Sequence, residues 1–450
     1  MNIKKSKCNT ILTLLTALVC LGTEPSSGST LSDVSNGMSQ GTWAKLNTSG
    51  YTSNYLKYPG GNGQKTTQFL GNAVWDSISK KVLFLGAGHF DYSQLHIYTE
   101  STNTWTIGAA VPDSPRSLNH GYYHNAIDVG GRILGYTRLT NSRGDLFEYN
   151  ISANSWTQKS SFTHDGDIAH AYVYFPERGI WYVADGTFGL IREYDRSSDS
   201  WSVLSQHREC FAGDNSVQTG YYHNFAEYSP TRKEIVFGGG LSQGGGGFTK
   251  SRALCKMTSN GTISRLPDAP VNLTVPSGGN SGSIITLDPQ TGDLLVLAQD
   301  GNFYSFSFSS NSWSTINDGK PAAFSKTSNN VVEGWVAPIS TYGVVMYANS
   351  NHEIWLYKHG AGNGNPVPPP PSPPIEPSVD TIPPSAPDQL TVVPTGVSTL
   401  PPPPAGTPFA ELCQLSSTIF CQDFNQLPPN TASGVEGVFH NKGGCSSNSI

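Results

Sequence analysis

The chain has 450 residues, of which 13% are charged and 11% aromatic, with 48 glycines and 31 prolines. That profile suits a turn-rich β protein with aromatic packing, long enough for more than one domain. A net charge of −6 gives no general electrostatic footprint for nucleic acid, while leaving room for a local basic pocket that takes an anion.

In chain order, residues 1–29 read as a signal peptide. Lys4, Lys5 and Lys7 precede the apolar run 11–21, and small polar residues follow. The run is short for a transmembrane helix. Cys20 raises a lipoprotein site, but Val19 before it is a poor fit, so simple secretion is expected, with no membrane partner. Seven cysteines are spread as Cys8 and Cys20 in the leader, Cys210 and Cys255 in the middle, and Cys413, Cys421 and Cys445 near the end. The odd number in the tail points to a pairing partner outside this sequence or a free thiol.

A short pattern then recurs. Tyr98-Thr-Glu-Ser-Thr-Asn-Thr-Trp105 returns as Tyr149-Asn-Ile-Ser-Ala-Asn-Ser-Trp156, Tyr194-Asp-Arg-Ser-Ser-Asp-Ser-Trp201 and Phe306-Ser-Phe-Ser-Ser-Asn-Ser-Trp313. Each copy reads as a strand end, a polar turn that tolerates left-handed backbone, and a Trp opening the next strand. Units follow at 69–107, 120–158, 168–204, 220–266 (with Ile263 in place of Trp) and 281–316, and a sixth begins near Val331. The sixth stops at Gly360 without a fourth strand, and the orphan strand around Trp43 supplies it. Units of roughly 40–50 residues with four short strands predict an all-β, six-bladed β-propeller over 41–360, closed by the N-terminal strand. A seventh blade would have to fit within residues 205–280. The phasing of turn and Trp resembles kelch-type repeats. Residues 361–408 form a Pro-rich linker of extended polyproline character. The remainder, 409–450, opens with Cys413-Gln-Leu-Ser-Ser-Thr-Ile-Phe-Cys-Gln-Asp-Phe and is similar to the start of concanavalin-like jelly-roll domains, cut short.

Gly121-Tyr-Tyr-His-Asn125 recurs as Gly220-Tyr-Tyr-His-Asn224, both placed where an inner strand is expected to start. His124 and Tyr222 there can bind substrate or move protons near neutral pH, or fill the channel and bond across blades. His89 follows a second strand, and His170 begins the third unit. Arg192 interrupts an apolar third strand, where it is suited to a carboxylate or to an ion pair with Glu193 or another blade. His207, Cys210, His223 and Cys255 have the residue types of a structural zinc site, and a Cys210–Cys255 disulfide is the alternative that an oxidising compartment favours. The Ser-x-Asp-x-Gly-x-x-Trp turn of sialidases is not met, and no spacing singles out the Tyr, Cys and His set of a copper-radical oxidase.

Residues 41–360 resemble secreted propeller polysaccharide lyases of the ulvan-lyase type. The resemblance implies β-elimination beside a uronate, with an acidic polysaccharide as partner; the protein itself is expected to be a monomer. It implies His124 as a channel-side acid, base or carboxylate partner, Tyr172 as base and Arg192 as uronate clamp, with His89 and Tyr222 in support. It also implies a structural zinc on the His207, Cys210, His223 and Cys255 set. Those lyases are usually seven-bladed, so the count of six departs from the pattern. A non-catalytic carbohydrate-binding propeller is the alternative.

Overall fold

The computed structural model describes residues 30–57, 66–67, 70–87, 93–112, 123–140, 143–163, 170–185, 189–212, 221–244, 247–275, 282–298, 300–324, 334–349, 351–360 and 365–366. Residues 1–29, expected as a signal peptide, 409–450, expected as the start of a jelly-roll domain, and all of 361–408 but 365–366 lie outside them. Six antiparallel sheets, each built on four strands running from the inside outward, form the blades of a β-propeller. The inner strands are Val74–Asp76, Asn125–Asp128, Ala171–Phe175, Phe225–Ser229, Ile284–Leu287 and Gly334–Ile339, and each touches the next, with the sixth meeting the first.

The sixth blade is completed by Thr42–Leu46, which pairs antiparallel with Ile354–Lys358, Trp43 opposite Tyr357. Trp43 then sits among the rings of Phe303, Phe324, Tyr347 and Tyr357, centroids 4.7–5.7 Å away. Past that strand the chain crosses to blade 1, where Ser49 accepts from the Trp105 amide at 2.9 Å. One segment therefore ties the last blade to the first.

The repeated turn performs two jobs. Asn103, Asn154, Asp199 and Asn311 all take left-handed backbone, with φ between 49 and 52°. The Tyr that opens the repeat donates its hydroxyl to the same side chain, from Tyr98 to Asn103 at 2.9 Å and from Tyr149 to Asn154 at 2.7 Å, and Tyr194 does so to Asp199. In the fourth copy Phe306 has no hydroxyl, yet its ring still lies 5.2 Å from Trp313. Each Trp indole N–H in turn donates to the chain leaving the preceding blade: Trp105 to Thr48, Trp156 to Ala109, Trp201 to Ser160 and Trp313 to Pro267. The motif closes a blade and fastens it to its neighbour.

The stretch 205–280 contributes one blade and, among its described residues, a three-stranded sheet of Tyr221–Tyr222, Leu241–Gly244 and Gly247–Lys250. This small sheet accounts for the extra length of the fourth unit. The count is six.

Candidate functional site

The starts of three successive inner strands carry a histidine. His124 and His170 each stand immediately before an inner strand and His223 two residues before, and all three are buried. The adjoining asparagines explain part of the duplicated motif. Asn125 accepts the Leu85 amide of blade 1 at 2.7 Å and donates to the carbonyls of Asn72 and Leu85 at 3.3 and 3.4 Å. Asn224 donates to the Ala184 carbonyl of blade 3 at 2.9 Å. In both copies the Asn fastens its blade to the one before.

Blade 3 brings charged groups to the same end. Asp185 closes the second strand Ile180–Asp185 and is fully buried. Its Oδ1 lies 3.6 Å from His170 Nε2 and its Oδ2 lies 3.6 Å from Arg192 Nε. The Arg192 guanidinium also covers the Phe162 ring of blade 2 at 5.5 Å. Glu193 instead faces Arg178 at 3.6 Å. A carboxylate set between an imidazole and a guanidinium can orient the ring and hold the Arg ready for an anion. A backbone bond from the Tyr172 N–H to the Tyr123 carbonyl, at 2.9 Å, joins the starts of the blade 2 and blade 3 inner strands.

Tyr172 does not have the surroundings of a base. Its ring stacks on Trp181, centroids 5.2 Å apart and 13° between planes, in the layer between blades 2 and 3. Burial, reinforced by the charge of Glu148, pushes its hydroxyl well above the ordinary range. Tyr222 belongs to the edge strand of the three-stranded sheet, opposite Leu241, and not to the inner strand of its blade. His89 lies outside the described residues.

The four residues set out for zinc do not fit the ion. Cys210 and Cys255 are bonded to each other, Cα atoms 5.4 Å apart, and a disulfide sulfur offers no thiolate. His207 Nδ1 sits 2.8 Å from Glu209 Oε1 at the same turn. The disulfide joins the chain leaving blade 3 to the third strand of blade 4.

Two residues that sequence reasoning passed over cross the middle of the ring. Tyr123, fully buried, donates to Glu227 Oε1 at 3.2 Å on the blade 4 inner strand and to the Ile285 carbonyl on blade 5. It is a bar across the channel. Glu227 also accepts from the Thr286 hydroxyl at 3.0 Å and the Leu287 amide at 2.6 Å. Burial outweighs these bonds and pushes its carboxyl up to about 7. The signal was present as a lone acid in the apolar strand Phe225–Ser229, but a strand with both faces covered does not reveal which way such a side chain points.

The fold and these sites define a six-bladed β-propeller with titratable groups placed along its channel. No protein-family model and no curated protein matches the chain. Among solved structures, it is similar to a structural-genomics protein of unknown function from Bacteroides thetaiotaomicron, at 9% identity and a TM-score of 0.46, covering 70% of this chain and 75% of that one. TolB from Acinetobacter baumannii aligns at 11% identity and a TM-score of 0.32 (66% and 55% covered). A fungal alcohol oxidase of the AA5 family in complex with copper aligns at 10% identity and a TM-score of 0.41 (67% and 77% covered). Similarity at this level carries no argument about chemistry.

Proposed function

We propose that the protein is an exported polysaccharide lyase that cleaves a uronate-containing polysaccharide by β-elimination at the histidine-bearing end of blades 2 and 3. The observation that supports this reading is the meeting of His170, Asp185 and Arg192 in blade 3, whose inner strand is joined at its start to that of blade 2, which His124 precedes. In the proposed reaction Arg192 binds the uronate carboxylate and so acidifies the C5 proton. A histidine, His124 or His170, takes that proton, because the Tyr172 hydroxyl holds its own proton too tightly to serve as base. The C5–H electrons form the C4–C5 double bond, the C4–O bond breaks, and the departing oxygen is protonated. Placing fixed positive charge where negative charge develops is the main contribution expected of such a site.

The test follows the ultraviolet absorbance of the unsaturated product on ulvan, alginate, pectin and glucuronan. Activity on one of them, lowered about 10²-fold in kcat/KM by Arg192→Ala, supports the proposal. Absence of product on all four overturns it for these substrates. The burial of all three histidines favours a second reading, a carbohydrate-binding propeller without catalysis. That reading predicts retention on an immobilised uronate polysaccharide with no new absorbance.

A further inference from the structure

The channel holds a cavity of about 600 Å³ whose charged lining, among the described residues, is of one sign. Its rim is made of exposed turn residues after the inner strands, Gly130, Pro176, Pro230 and Ser340. Among the described residues no Lys, Arg or His lines it, whereas Asp128, Glu227 and Asp288 do. Asp128 is already compensated, its Oδ2 2.7 Å from an Arg196 guanidinium nitrogen. Glu227 is held by the Tyr123, Thr286 and Leu287 donors. Asp288 uses Oδ2 for the amides of Gln290 and Thr291, at 3.2 and 2.7 Å. Its Oδ1 has no hydrogen-bond partner among the described residues, although Asp288 is 1% exposed.

Asn72 adds an uncharged example. Its Nδ2 donates to the Asn125 carbonyl at 2.7 Å, and because a carbonyl can only accept, the orientation of the amide is settled. The Oδ1 is thereby left without a partner among the described residues, on a side chain 5% exposed. Buried acceptors are ordinarily bonded, so two of them lining one cavity call for a donor. The rest of the lining is largely apolar, with Trp75, Tyr174 and Tyr228 beside the prolines.

We propose that this cavity binds a small organic cation, a protonated primary amine on a short carbon or sugar skeleton. Asp288 Oδ1 and Asn72 Oδ1 accept its N–H groups, Glu227 supplies further negative charge, and the aromatic and proline walls take the skeleton. An inorganic calcium ion would want six to eight oxygens around it, which this mostly apolar wall does not offer. A uronate would be repelled, so the cavity is distinct from the polysaccharide site proposed above and does not depend on it.

Glu227 links binding to protons. It faces the Tyr123 and Thr286 hydroxyls, the Leu287 amide and the field of the buried Tyr347, which Asp288 shares. A bound cation favours the ionised carboxylate, so binding near pH 7 releases protons and tightens as pH rises.

The test is titration calorimetry of the whole protein with putrescine and glucosamine, against butanediol, N-acetylglucosamine and calcium chloride, in two buffers of different ionisation heat. The expected result is binding of at least one amine and of none of the other three. Proton release should accompany it in wild type and vanish in Glu227→Gln. Asp288→Asn, which keeps an oxygen for the turn, should weaken binding about tenfold or more. Should that variant fail to fold, Asn72→Ala and the Glu227→Gln proton count decide the matter. Binding of calcium alone, equal binding of the neutral analogues, no binding of either amine, or amine binding indifferent to these substitutions would each overturn the proposal.

Discussion

At the starts of the inner strands stand the imidazoles of His124, His170 and His223, with Arg192 nearby; further along the channel stand the carboxylates of Asp128, Glu227 and Asp288. The first group sits next to the connections between blades, and the second borders the tight turns inside blades. Tyr123 lies between, anchored on blade 2 and bonded to blades 4 and 5. The comparison teaches that one ring can gather imidazole and guanidinium groups at one end and carboxylates further in, with a buried tyrosine bonded across it.

The most severe way to break that separation is Tyr123→Ala. Removing a fully buried aromatic bar should cost about 3–5 kcal/mol in denaturant unfolding. Tyr123→Phe, which keeps the ring and loses the hydroxyl bonds, should cost only about 1–3 kcal/mol. Reducing the Cys210–Cys255 disulfide acts at the histidine end alone. Its sequence separation of 45 residues corresponds to about 4 kcal/mol of chain entropy, so the reduced protein should melt lower, with new hydrogen exchange concentrated in blade 4.

Glu227 sharpens the contrast from the other side. Its folded value, about 7, lies above its ordinary 4.5, so the folded protein holds this proton more tightly than the unfolded chain does. The resulting stability is fully present below about pH 4.5 and is lost as pH rises through about 7, a change of about 3 kcal/mol. Chemical denaturation across that range should show the slope in wild type and a flatter line in Glu227→Gln. The smallest effect is expected from His207→Ala. Its part-exposed pairing with Glu209 should alter stability by no more than about 0.5 kcal/mol, and the zinc content of the purified protein should stay as in wild type.

The blade architecture was legible because the Tyr-to-Trp turn depends on local chemistry. Left-handed Asn or Asp, a tyrosine hydroxyl five residues before it and two rings seven residues apart in contact are all specified within eight positions. The closing strand was legible for the same reason, since Trp43 repeats the outer-strand Trp without its preceding strands. Arg192 was legible as a charge that breaks an apolar strand, but its partner was not. Asp185 ends the neighbouring strand, where an acid reads as an ordinary turn residue. The packing of Tyr172 was not legible because inner strands are covered on both faces. A tyrosine there meets the adjacent blade as readily as the channel, and Trp181 claims its ring. Tyr123 and Glu227 lie 104 positions apart, and no local pattern links them.

Closure by the strand Thr42–Leu46 bears on the order in which the molecule can be completed. Its partner Ile354–Lys358 leaves the ribosome more than three hundred residues later, so the earliest strand of the ring is the last to find its place. The entropy of so long a loop grows only as a logarithm, about 0.6 kcal/mol per doubling, and is no obstacle at equilibrium. The delay is kinetic. Throughout synthesis blade 1 presents an unsatisfied flank, and Trp43 has no aromatic nest to enter. A circularly permuted chain that begins at the inner strand of blade 1 and carries residues 42–56 after residue 360 would remove that wait, joining the two halves of blade 6 as neighbours in sequence.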